Sequence, residues 1–312
     1  MTVCELRPER YPQAATLVSS CMRHRADPPG SWQREDAQRL SERLCNLRWE
    51  MVAPDGALLA YAAAWEVRSH RFRVDLVVQP AQRRHGLGST LFEMVLAAAQ
   101  SNGAEILQAR ADSADVASLA FLARRGFREV HRMVAMHGAP AAGTILAPRP
   151  VGLEILTAVE CERLDSAFWS QLHSAHVRAA TDWPDPDPGG PARQISVEQF
   201  QRRFADHGVP PEQLFVARFL GRWVGYTGIA AHPTDPRMAR TGPTAVDPRD
   251  RGRGVATALK AAALAWAARA GFVRAESRSA NPALLRVNAK LGLEMHDAEV
   301  RLVRAGRFPS LS

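Results

Sequence analysis

The sequence predicts a mixed α/β protein built from two tandem copies of one domain, each a central sheet flanked by helices. Strand-like and helix-like stretches alternate along its 312 residues, one strand–loop–helix unit occurs twice, and a stretch of altered composition lies between the copies. The repeated unit is the most informative of the three. In the first copy it reads VVQPAQRRHGLG, Val77 to Gly88, and in the second AVDPRDRGRGVA, Ala245 to Ala256. Val78 matches Val246, Pro80 matches Pro248, Arg83 matches Arg251, Gly86 matches Gly254 and Gly88 matches Ala256, every pair 168 positions apart. Gly103 and Gly271, which close the following helices, keep that offset. Chance does not hold register through a whole supersecondary unit, so the chain is an internal duplication.

The first half opens with a short strand, Thr2 to Arg7, and a helix from Glu9 to about Arg25 with Ala14, Leu17, Val18 and Cys21 at helical spacing. Two prolines and a glycine in Ala26 to Trp32 break it, and Arg34 to Leu44 is helical again. A hairpin follows, Leu47 to Ala53 and Leu58 to Val67, turning through Pro54-Asp55-Gly56. Arg71 to Val78 is the strand into the repeated loop and Leu87 to Gln100 the helix out of it, with Leu87, Leu91, Val95 and Ala98 on one face. A strand at Ile106 to Arg110, a helix at Val116 to Arg125 and a strand at Phe127 to Met136 complete this half. The expected domains are 1–137 and 151–312, joined by a linker at 138–150 that lacks the charge and periodicity of its flanks.

The second half repeats the order. Gly152 to Leu156 is a strand, and a helix runs through Trp169, Leu172 and His176 to about Ala179. Thr181 to Pro191 breaks it, Val197 to Ala205 is the next helix, and Leu214 to Phe219 and Trp223 to Ala231 form a hairpin turning at Gly221. After the repeated unit come a strand at Val273 to Ser277, a helix at Pro282 to Leu291 and a last strand near Glu299 to Arg304.

A loop of this kind has a chemistry. The first N–H groups of a helix have no intrahelical acceptor, and the helix dipole adds partial positive charge, so the junction can hold a phosphate. Glycine at 252 and 254 lets the backbone approach an anion without a Cβ in the way. The pattern V-x-P-x-x-R-x-x-G-x-[GA] between strand and helix resembles the acetyl-CoA loop of the GNAT superfamily of N-acetyltransferases. A second signature of that superfamily also occurs twice, as Asp115-x-x-Ser118-x-x-x-Leu122-x-x-x-Gly126-Phe127 and as Asn281-x-x-Leu284-x-x-x-Asn288-x-x-x-Gly292-Leu293. The whole is similar to the tandem-domain, mycothiol synthase-like members.

The resemblance implies two acetyltransferase-type domains, each with a splayed strand pair, and an acetyl-CoA-dependent N-acetyltransferase acting on a primary amine, with a small-molecule acceptor expected. It implies that the loop amides of Arg251, Gly252, Arg253, Gly254, Val255, Ala256 and Thr257 hold the pyrophosphate of coenzyme A. In the first copy the corresponding residues are Arg83, Arg84, His85, Gly86, Leu87, Gly88 and Ser89. Ala245 and Val246, or Val77 and Val78, would pair with the pantetheine arm. Asn281 and Asn288 can hydrogen-bond the cofactor, which favours the C-terminal half as the catalytic one, while the N-terminal loop is also expected to bind coenzyme A.

An amine acceptor must lose a proton before attack. Asp75 lies on the first motif strand, whereas the second motif strand has no carboxylate, so Asp182 and Glu276 are the candidate bases of the C-terminal half. The superfamily's tyrosine acid is replaced by Leu122 and Asn288. Trp32 and Trp183 occupy corresponding breaks, where each can wall an acceptor pocket or pack between helices. A protein lysine or N-terminal acetyltransferase and a non-catalytic acyl-CoA sensor are the alternatives.

Composition bounds these readings. Hydrophobic content of 46% with 23% charged residues describes a soluble globular chain, with no apolar run that spans a membrane. The start, MTVCELRPER, lacks a signal-peptide pattern, so a cytoplasmic protein is expected, as monomer or homodimer. Cys4, Cys21, Cys45 and Cys161 show no ligand spacing, and His173 with His176 lacks a third partner, so no metal is expected. Net charge is +8, but only Lys260 and Lys290 are lysines and the arginines are scattered, with no nucleic-acid module. The balance suits a polyanionic cofactor.

Overall fold

The computed structural model describes residues 1–22, 30–68, 70–140, 150–181 and 195–305. The chain divides into two compact units, unit 1 (Met1–Arg132 with Ala298–Ser312) and unit 2 (Met133–Asp297). The first half supplies β1 (Thr2–Glu5), α1 (Tyr11–Cys21), α2 (Ser31–Ser41), β2 (Asn46–Val52), β3 (Leu58–Arg68) and β4 (Arg71–Val78). It continues with α3 (Leu87–Ser101), β5 (Ile106–Asp112), α4 (Val116–Ala123) and β6 (Arg128–Gly138). The second half supplies β7 (Leu153–Thr157), α5 (Ala158–Leu164), α6 (Phe168–Ala180), α7 (Val197–Asp206), β8 (Leu214–Phe219), β9 (Arg222–Ala231) and β10 (Met238–Val246). It ends with α8 (Val255–Arg269), β11 (Arg274–Ser279), α9 (Pro282–Lys290) and β12 (Glu294–Ala305).

The mixed α/β class is as the sequence implied, with one short helix added. Thr157 and Glu160 form a capping box that starts α5, a local signal that the sequence carries in T-x-x-E. The linker between β6 and β7 falls mostly at 141–149, outside the described residues.

Each unit holds a six-stranded sheet of the same order. In unit 1 it runs β1-β2-β3-β4-β5-β12, with β4 and β5 parallel and the other neighbours antiparallel. In unit 2 it runs β7-β8-β9-β10-β11-β6, with β10 and β11 the parallel pair. The last strands are therefore exchanged: Val134 to Gly138 of β6, expected to close the first half, pair with β11, and Glu299 to Ala305 pair with β5. Alternation along a strand sets which face is buried but not which edge it joins, and in a duplicated fold either final strand suits either edge.

The parallel contact is short in both units. Arg71 to Arg73 pair with Ile106 to Gln108, and Met238 to Thr241 pair with Arg274 to Ser277; beyond these the two strands part. Phe72 and Val74 join the core under α3, whereas Val77 joins the core under α1 and α2 with Tyr61, Trp65 and Trp32. Because side chains alternate, Arg73 and Asp75 share the face of Val77. Unit 2 has the same two layers, one core under α8 and one under α6 and α7.

Candidate functional site

The repeated loops adopt one conformation twice. Gly86 (φ +84°) and Gly254 (φ +80°) are the N-caps of α3 and α8, and Arg84 (φ +70°) matches Gly252 (φ +75°). Left-handed backbone suits glycine, so Gly254 and Gly252 follow from the turn itself, while Arg84 carries that conformation with a Cβ. Arg83 donates from Nε to the Val78 carbonyl at 3.3 Å, and Arg251 likewise to Val246 at 3.2 Å. Each arginine thus ties the loop back to the end of its strand.

In unit 1 the loop opens onto a cleft of about 700 Å³. Arg83, Arg84, Gly86, Gly88 and Ser89 line its outer end, and Val74 to Val78 face Ala109 to Asp112 where the strands part. The α3 N-terminus supplies the amides of Leu87 and Gly88, which have no acceptor within the helix. Nothing stands within 4 Å of where a Cβ on Gly86 would be, so the space before these amides is open. Arg125, unmarked by the sequence reading, donates to the Ser89 hydroxyl at 2.9 Å and lies 3.5 Å over the Phe121 ring. Its place just before Gly126-Phe127 of the second signature was the available signal. Convergent amides with arginines around them are the donor set that a diphosphate requires, so the residues present fit coenzyme A.

The inner end of the cleft is charged. Arg39 from α2, Trp65 from β3, Arg73 and Asp75 from β4, and Arg110 from β5 line it. Asp75 is buried, at 3% exposure. Arg110 and Arg301 both reach Glu299, at 3.6 and 3.3 Å. Trp32, in contrast, is core: it stacks on Tyr61 at 5.1 Å and meets Tyr11 edge-on, and it does not line the cleft.

The signature residues on α4 and α9 have structural occupations. Asp115 caps α4 through Ser118 N–H, at 2.9 Å, and lies 3.8 Å from Arg83. Asn281 caps α9 by accepting from Ala283 and Leu284. Asn288 is fully buried and donates to the Ser277 hydroxyl at 3.0 Å. Lys260 of α8 joins the same cluster, with Nζ donating to Ser277 at 2.9 Å and Thr241 at 3.1 Å, and burial pushes its pKa down to about 7. At the 168 offset Lys260 answers Phe92 and Ser277 answers Ala109, while Asn288 answers Leu122 in the signature. The three apolar residues line the unit 1 cleft, whereas their counterparts in unit 2 form a buried polar cluster.

Of the two candidate bases in the C-terminal half, Asp182 lies outside the described residues, as does Trp183. Glu276 is buried on β11 with His137 Nε2 at 3.1 Å and His232 Nε2 at 3.8 Å. His137 reaches it because β6 pairs with β11, a neighbour 139 positions away in sequence. His173 and His176 are engaged separately. One ring bonds the Ile195 carbonyl, and the other bonds the Tyr226 hydroxyl at 2.8 Å, with its pKa pushed down to about 4 by burial. Among the described residues no helix is long and apolar enough to cross a membrane.

The family model of the acetyltransferase (GNAT) family matches residues 15–127 and again 175–293. The chain belongs to that family. Members of the GNAT family use acetyl-CoA, and each match contains one loop and one copy of the second signature. A mycothiol acetyltransferase from Frankia casuarinae is 27% identical over 223 residues, covering 70% of this chain and 58% of that protein, so the match spans little more than half of the relative's length. A GCN5-related N-acetyltransferase from Sphaerobacter thermophilus has the same fold, with a TM-score of 0.71 at 20% identity over 97% of this chain and 95% of that one. A tandem GNAT protein from the clavulanic acid biosynthesis pathway gives 0.66 at 20% identity over 97% and 98%.

Proposed function

We propose that this GNAT-family chain is an acetyl-CoA-dependent N-acetyltransferase acting on the primary amine of a small molecule, and that the unit 1 cleft is a reaction site. The observation that carries this is the continuity of one cleft from the phosphate-type loop, past the parted strands, to Asp75 and a charged inner end. Bound acetyl-CoA supplies an acetyl group activated as a thioester. The chain's part is to hold and to deprotonate. The amides of Leu87 and Gly88, with Arg84 and Arg125 beside them, take the diphosphate, and the free edge of β4 at Val74 to Val78 offers backbone groups to the pantetheine arm. The Asp75 carboxylate accepts the proton of the acceptor's ammonium. Leu122 has no proton to give, so the leaving thiolate is protonated by solvent or released as such.

A second reading keeps the chemistry in unit 2, and the placement of Glu276 between His137 and His232 favours it. Thiol release from acetyl-CoA against a panel of small amines and lysine peptides tests both, with Gly88→Trp and Ala256→Trp made separately. Neither position has a left-handed backbone, so each indole crowds its loop without that strain. Loss with Gly88→Trp alone is expected; loss with Ala256→Trp alone moves the reaction to unit 2. Acetyl-CoA binding by calorimetry without turnover of any amine would overturn catalysis in favour of a sensor, and preference for peptides would replace the small acceptor by a protein.

A further inference from the structure

The inner end of the unit 1 cleft holds a guanidinium that makes no direct ion pair among the described residues, while the Asp75 and Glu299 carboxylates act on its charge from beyond ion-pair distance. Arg73 donates no hydrogen bond and makes no ion pair among the described residues; its close neighbour is the Trp65 ring, 5.9 Å from the guanidinium carbon. Burial, with Arg110 and Arg301 nearby, pushes its pKa down to about 10 against the opposing charges of Asp75 and Glu299. Of the carboxylates that line the cleft, Glu299 is shared by Arg110 and Arg301 and Glu35 lies 3.6 Å from Arg48, while Asp75 acts on Arg73 through its charge without a direct ion pair. A second guanidinium, Arg39, reaches the same end of the cleft while donating to the Glu66 carbonyl at 2.8 Å. A half-buried guanidinium that faces a cleft and has no direct acceptor can take an anion, because a buried charge gains from a hydrogen-bonded partner.

We propose that the acceptor of unit 1 is an amine that also carries a carboxylate, and that Arg73 binds this carboxylate while Asp75 faces the amine. The inference rests on the reading of this cleft as an acetyl-transfer site and names its substrate class. The planar fork of arginine matches a carboxylate with two parallel hydrogen bonds. Arg73 and Asp75 are alternate residues of one strand, about 7 Å apart along it and on the same face. Asp75 is the nearer to the cofactor loop. An amine one to three carbons from a carboxylate spans that separation with the amine turned toward the loop, the orientation that transfer needs. A phosphate or sulfonate on the amine would present similar oxyanion chemistry; the coplanar pair of oxygens that the fork matches favours carboxylate.

The test pairs each amine with its decarboxylated counterpart: glycine with methylamine, β-alanine with ethylamine, 4-aminobutyrate with propylamine, and L-phenylalanine with phenethylamine. Taurine and phosphoethanolamine are added as sulfonate and phosphate arms. Binding of each to the protein saturated with coenzyme A is measured by calorimetry, and kcat/KM for thiol release by acetyl-CoA turnover, in wild type, Arg73→Met and Arg73→Lys. The expected result is a preference of about tenfold or more for the carboxylated member of at least one pair, the size of a charge-assisted hydrogen bond. Arg73→Met should bring the ratio near one through KM, and Arg73→Lys should restore part of it. Carboxylate preference in binding without turnover of any amine would remove the acetyltransferase reading, and with it the acceptor role, while keeping Arg73 as the carboxylate-binding group. Equal or better use of the decarboxylated amines overturns the proposal and leaves that reading intact, as does a preference for taurine or phosphoethanolamine. Binding of no panel member overturns it as well.

Discussion

Arg83 and Arg251, 168 positions apart, make the same hydrogen bond: each Nε reaches back five residues to the carbonyl that ends its motif strand, Val78 at 3.3 Å and Val246 at 3.2 Å. The motif arginine therefore shapes the loop from behind. Truncation should loosen the amides that face the cofactor. Arg83→Met and Arg251→Met are each expected to weaken acetyl-CoA binding at their own loop by about fivefold, the worth of roughly one hydrogen bond, as read by calorimetry. An unchanged affinity in both variants would mean that the loops hold their shape without this tie.

Arg84 is the strained member of an otherwise matched pair of loops. Its counterpart is Gly252, and both adopt positive φ, which costs a residue with a Cβ roughly 1 kcal/mol. Arg84→Gly is expected to raise unit 1 stability by up to about 1 kcal/mol, with the greater entropy of unfolded glycine taking back part of the gain. Denaturant midpoints measure it, and a lower midpoint would contradict the strain.

Lys260 gives unit 2 a pH-dependent stability. Its ordinary pKa is 10.5 and burial lowers it to about 7, so between these values the unfolded chain binds more protons than the folded one. Stability from this group rises with pH across that window, by at most about 1.4 kcal/mol per pH unit, and the full cost of burial is present below it. Lys260→Met should lose this slope. Urea unfolding from pH 7 to pH 10 compares the two chains, and parallel curves would show that the amine stays charged in the fold.

Arg48 anchors the helix that carries Glu35 and Arg39 to the cleft. It pairs with Asp36 of α2 at 2.8 Å, donates to the Tyr61 hydroxyl at 2.7 Å and lies 4.6 Å over the Trp32 ring, at 4% exposure. Arg48→Met leaves Asp36 without its cation and is expected to cost unit 1 about 3 kcal/mol. A melting temperature lowered by less than 2 °C would show that the network relaxes around the loss.

Much of the fold and the outer half of the site were legible in the sequence because their signals are local. The loops announce themselves through Gly86, Gly254 and the fixed offset, whereas Asn281, expected to bond the cofactor, caps α9, and Asp115 caps α4. Of the inner half only Asp75 was legible, as a carboxylate on the motif strand. Arg73 is one arginine among many until a cavity surrounds it, and Glu276 is a lone strand carboxylate until β6 brings His137 beside it. Lys260 enters the sequence only as one of two lysines, and burial against Ser277 and Thr241 appears only when β10 and β11 pack under α8.

The sequence by itself determined the duplication, the order of strands and helices apart from α5, and the two phosphate-type loops, since turn sterics, helix capping and alternation depend on residues a few positions apart. Only the tertiary structure decided which final strand completes which sheet, which matched positions meet in one buried cluster, and which charges face an open cleft. Those outcomes depend on burial and pairing between residues far apart in the chain, where a side chain's protonation, partners and exposure are set by what folds against it.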